Sequence, residues 1–64
     1  MKGDWVEVSE GLPPVEAGYR YVSVNVRMRC GGAIYKGFYD HRVGRWHYDN
    51  GAMVFDTVVE WKRI

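Results

Sequence analysis

Six basic side chains lie between residues 19 and 48: Arg20, Arg27, Arg29, Lys36, Arg42 and Arg45. Asp40 is the one acid in that stretch, so it carries a net +5. Residues 1–18 carry a net −3 and residues 49–64 a net −1. The same basic stretch holds Tyr19, Tyr21, Tyr35, Tyr39, Trp46 and Tyr48. Guanidinium forks bind phosphate bidentately, and aromatic faces stack on bases. Basic and aromatic side chains interleaved in this way are the parts of a nucleotide or single-strand site. The candidate ligand-binding residues are Arg27, Arg29, Tyr21, Lys36, Arg45 and Trp46. Trp46 is the tryptophan best suited to a binding surface, because it follows a turn and an arginine and because Trp and Arg dominate interaction hot spots. Trp5 and Trp61 read as core.

The remaining reactive side chains suggest little chemistry. His41 and His47, with Asp40 and Asp49 beside them, offer mixed N/O ligands, but their spacing matches no metal-site pattern. Cys30 follows Arg29, a cation that would favour the thiolate. Its position before Gly31-Gly32 equally suits a small residue entering a turn. Asp56 and Glu60 read as one solvated strand face. There is no nucleophile elbow and no phosphate-cradling glycine loop. No catalytic residue, metal or cofactor is assigned, and the chain is expected to be non-enzymatic.

The elements that must position these side chains are strands. Apolar and polar residues alternate with period two, and helical periodicity is nearly absent. The expected strands are 5–8, 19–29, 34–41, 45–48 and 54–64, the last broken near Asp56-Thr57. Within 19–29, Val22, Val24, Val26 and Met28 share one face, and Tyr21, Ser23, Asn25, Arg27 and Arg29 share the other. Turns are expected at Cys30-Gly31-Gly32-Ala33, at His41-Arg42-Val43-Gly44 and at Asp49-Asn50-Gly51, where Asn-Gly is a strong turn signal. Gly37 marks a bulge or a close approach by another aromatic. The fold class is all-β: a five-stranded antiparallel meander forming a small SH3-like barrel or a strongly bent sheet. The first and last strands, each with a Trp, are expected to pair.

Sixty-four residues with one cysteine and a net charge of +1 make a single domain, residues 1–64, without an internal disulfide. The near-neutral total argues against a generic nucleic-acid coat. No apolar run reaches the ~20 residues of a transmembrane helix, and the N-terminus has no signal-peptide core. A cytoplasmic, non-membrane protein is expected. A core this small supplies only roughly 3–5 kcal/mol, which makes a homo-oligomer one route to added stability.

Trp5-Val6-Glu7-Val8, Leu12-Pro13, the valine-rich strand, Gly37-Phe38-Tyr39-Asp40, Trp46 and Val59-Glu60-Trp61 together resemble the small bacterial and phage family catalogued as domain of unknown function 551. The resemblance implies a β fold and a phage or prophage setting, and carries over no activity and no functional residue. The expected function is a small binding module for an anionic ligand. That ligand is expected to be a nucleotide signal, sequestered between subunits to counter host defence, or nucleic acid. The alternative is a protein–protein module that inhibits a host protein through a sheet edge or aromatic surface.

Overall fold

The computed structural model describes residues 4–64. They form one antiparallel sheet with no helix. Its strands are β1 (Val6–Glu7), β2 (Val26–Cys30), β3 (Ala33–Asp40), β4 (Arg45–Tyr48) and β5 (Val58–Arg63), in the order β1-β5-β2-β3-β4. The all-β expectation holds, with two corrections. Only β2, β3 and β4 form a meander, because β5 returns to the free side of β2 and β1 lies outside it. The sheet is also open: β1 ends it on one side and β4, with residues 52–54 bridged to it at His47–Met53, ends it on the other, so the barrel alternative is not realised.

The central strand alternates as the sequence predicts. Val26, Met28 and Cys30 are fully enclosed, while Arg27 is exposed and Arg29 half-buried. The inner face is completed by Val54, Val58 and Trp61, with Val8, Trp46 and Tyr48 packed against this cluster. After the turn at Asp49-Asn50-Gly51 the chain runs back antiparallel along β4, with Met53 opposite His47 and the Val54 amide donating to the Trp46 carbonyl at 3.0 Å. The Trp61 indole N–H donates to the Gly11 carbonyl at 2.9 Å and holds the first connection against β5.

The expected strand over 19–29 is interrupted. Val22 opposes Asp40 and Val26 opposes Gly37, so this side carries one residue more than β3 does over the same span. Such an extra residue is a bulge, and it reverses the facing of everything before it. Ser23, expected on the wet face, is therefore buried, and its hydroxyl accepts from the Tyr39 amide at 2.8 Å. Val22 and Val24, expected in the core, are only half-buried.

The turns follow their residues. Cys30 pairs with Ala33 across a two-residue loop in which Gly31 and Gly32 have φ of 58° and 79°. These are the left-handed angles of a tight hairpin. Gly37 is required by a close approach, though not of an aromatic ring. A Cβ there would fall inside the backbone carbonyl of His47 and 2.7 Å from the Met28 methyl. Because a carbonyl in a strand ladder cannot move aside, Gly37→Ala is expected to cost about 1–3 kcal/mol, the usual cost of overpacking. Urea unfolding should show a lower midpoint, and an unchanged midpoint would mean the strands can separate there without penalty.

Candidate anion-binding face

Paired residues in neighbouring antiparallel strands share a face, so the register assigns the outer side of the sheet in rows. The first row runs Glu7, Glu60, Arg29, Ile34 from β1 to β3. The next runs Lys62, Arg27, Lys36 across β5, β2 and β3, with Asp49 opposite Lys36 just past β4, its amide donating to the Lys36 carbonyl at 3.0 Å. The third holds Phe38 and His47, and the fourth Asp40 and Arg45.

The two basic rows are stabilised very differently. Arg29 Nε donates to Glu60 Oε2 at 2.6 Å, with the Glu60 side chain almost fully enclosed. The Arg29 guanidinium also lies 4.7 Å from the centre of the Trp5 ring. Arg29 is thus committed to structure. In the second row, Lys62 Nζ lies 5.5 Å from the Trp5 ring centre. Arg27, Lys36 and Lys62 make no ion pair with another described residue. Three like charges stand side by side over two strand spacings, about 10 Å. Like charges directly opposite destabilise a sheet by roughly 0.2–1 kcal/mol per pair.

The sequence-predicted residues divide. Arg27, Arg29, Lys36 and Arg45 share the outer face. Trp46 does not: it opposes Tyr39 on the inner face, packs on the core, and meets the Tyr39 ring edge-on at 5.0 Å. Tyr21 lies beyond the bulge. Its ring sits 4.5 Å beneath the Arg42 guanidinium, and its hydroxyl accepts from Arg42 Nη1 at 3.4 Å. Sequence reasoning missed Lys62 and Trp5. Trp5 immediately precedes the Val6–Trp61 pair, so the expected pairing of the terminal strands was the signal that could have placed it beside Lys62. Phe38 and His47 were also missed. Their rings stack at 5.2 Å and 10° in the row next to the cations.

The other reactive groups have local partners. His41 Nε2 lies 2.7 Å from the Pro13 carbonyl, which can only accept, so this nitrogen carries the proton. Asp40 Oδ1 accepts from the Arg42 amide at 2.9 Å and closes the turn before β4. Among the described residues, no group of three or more His, Cys, Asp or Glu side chains is placed to hold a metal ion. Two open clefts flank the sheet. One of about 370 Å³ is lined by Glu16, Val24, Asn25, Lys36, Arg63 and Ile64. One of about 290 Å³ is lined by Asp4, Val6, Trp61 and Arg63.

Comparison with protein-family models, curated proteins and solved structures finds no match for the chain. The functional reading therefore stands on geometry.

Cys30 departs from the thiolate expectation. Adjacent strand residues point to opposite faces, so Arg29 cannot stabilise its charge from the core side. Burial first, and the Asp56 carboxylate second, push the Cys30 thiol above its ordinary value. Burial is likewise the main cause raising the Tyr48 phenol, followed by Cys30, Tyr35 and Asp56. Both groups ionise more readily in the unfolded chain. Below pH about 8.5, the ordinary thiol value, neither contributes a pH dependence. Above it the unfolded state loses protons that the folded state retains, so stability falls as pH rises. Thermal melts from pH 7.5 to 10.5 should show a declining midpoint. Cys30→Val should remove the part of the decline that begins in the thiol range. A midpoint flat across this window would contradict the raised values.

Proposed function

We propose that the chain is a non-enzymatic binding module that takes a phosphate-bearing ligand on the outer face of its sheet. The observation that carries this reading is the Lys62–Arg27–Lys36 row. Its three cations face each other and form no ion pair with another described residue, whereas in the adjacent row Arg29 is paired with Glu60. A bound polyanion would supply the missing charge and relieve the repulsion. Arg27 adds a planar fork suited to phosphate, and the two lysines act as mobile point charges. In the phage or prophage setting that the sequence resemblance implies, such a module would hold a nucleotide signal or nucleic acid.

A protein partner is the second reading, favoured by Phe55, which is 83% exposed in the connection before β5. Single exposed apolar side chains are ordinary, and three opposed cations are not, so the anionic ligand is preferred.

Inorganic polyphosphate is a suitable first probe because it presents phosphate alone. Calorimetric titration should show binding that weakens roughly 20- to 40-fold between 50 and 200 mM salt, as expected when about three phosphates are neutralised. Arg27→Thr combined with Lys36→Thr should abolish it. Arg20→Thr, which removes a charge from a residue outside these rows, should have little effect. The double variant should also melt at the same temperature or higher, because it loses like-charge contacts and gains strand-favouring residues. Unchanged binding in the double variant, or binding indifferent to salt, would overturn the proposal.

A further inference from the structure

We infer that the ligand is a single-stranded nucleic acid lying across the strands, with its phosphates on the Lys62–Arg27–Lys36 row and unpaired bases against the Phe38–His47 stack. This inference rests on the phosphate-binding reading and narrows it to one ligand class.

Three observations carry it. First, Phe38 follows Lys36 by two residues on β3, so its ring stands on the same face about 7 Å from the cation row. A strand whose backbone follows the row can lay its bases on that side. On the opposite side, Arg29 is committed to Glu60 and Glu7 is exposed, so that row offers no unpaired cation to a second phosphate track. Second, the face does not suit a free mononucleotide. Small ligands need a concave site that encloses most of their surface. The larger cleft takes only Lys36 from the row and places the Glu16 carboxylate beside it. A polymer needs no enclosure, because neighbouring phosphates engage neighbouring cations along an open surface. Third, the aromatic element favours unpaired bases. Phe38 is half-buried and fixed against the His47 ring, which makes a rigid stacking surface. Bases already paired within a duplex cannot be splayed onto such a surface, whereas single-stranded bases can.

The test compares four probes on the intact chain by fluorescence anisotropy and competition. They are oligothymidylate of about 12 nucleotides, within the usual range of site sizes for small single-strand modules, the same length of base-free deoxyribose-phosphate, the matching duplex, and inorganic polyphosphate. Oligothymidylate should bind roughly tenfold or more tightly than the base-free strand, and more tightly than the duplex. Phe38→Leu keeps an apolar side chain but removes the ring. It should bring oligothymidylate down to the base-free level and leave polyphosphate binding unchanged. A readout independent of that variant's folding is NMR of the unmodified protein, where oligothymidylate should shift the Phe38 and His47 ring protons and the base-free strand should not. If all strands bind alike and the ring protons stay still, the single-strand inference is overturned while the phosphate reading stands. If neither polyphosphate nor any strand binds, both fall together.

Discussion

The alternation of β2 is the constraint on which the rest of the structure depends. This strand lies in the middle of the sheet, paired to β3 on one side and to β5 on the other. Its odd-and-even pattern sends Val26, Met28 and Cys30 into the core and Arg27 and Arg29 to the outer face. A slip of one residue would exchange the two sets, exposing three enclosed side chains and burying two guanidinium groups. The core and the basic face are therefore specified by one register. Gly37 supports it from β3, because only a residue without Cβ lets the His47 carbonyl and the Met28 methyl approach so closely.

From that register the electrostatics follow. Arg29 meets Glu60 on β5 and Trp5 at the sheet edge, and together they form a compact, partly desolvated cluster. One row further along, β5 offers Lys62 to Arg27 instead of an acid, and β3 offers Lys36. The same strands that neutralise one arginine thus leave the next one surrounded by its own charge. Local electrostatic conflict in an otherwise consistent fold is the kind of departure expected where a sequence serves binding as well as folding. The net charge of +1 conceals it, since the acids are concentrated in the first 18 residues.

Much of this was legible in the sequence because it depends on neighbours in the chain. The Val26–Met28 alternation, the Gly31-Gly32 hairpin and the Arg45–Tyr48 strand follow from local pattern and turn chemistry. The shared face of Arg27 and Arg29 was legible too, whereas Lys36 joins it only through the Cys30–Ala33 register, because the alternation of β3 by itself is ambiguous. What was hidden depends on distant chain segments. The extra residue between Val22 and Val26 leaves no composition signal, yet it detaches Tyr21 from the arginines and buries Ser23. Trp46 suits a binding surface by sequence because it follows a turn and an arginine, but neither feature says which face it takes. Only its pairing with Tyr39 assigns it to the core side. Lys62 enters the basic row through the return of β5 to β2, a topology that a simple meander does not contain.

The thin core and the binding face are two sides of one economy of size. A chain this short cannot cover both faces of its sheet evenly: Val54, Val58 and the Gly11 carbonyl close the inner side, while on the outer side Arg27 and Lys36 stay exposed. A partly open sheet face is nonetheless a precise platform. Its side chains are held at strand and pleat spacings, and the backbone hydrogen bonds beneath them resist distortion better than a loop would. Phosphate recognition by such a surface needs no enclosed pocket, only charges at repeating intervals. The Lys62–Arg27–Lys36 row provides those intervals across three strands, with the Phe38–His47 stack one pleat away to distinguish a base-bearing chain from a bare polyanion.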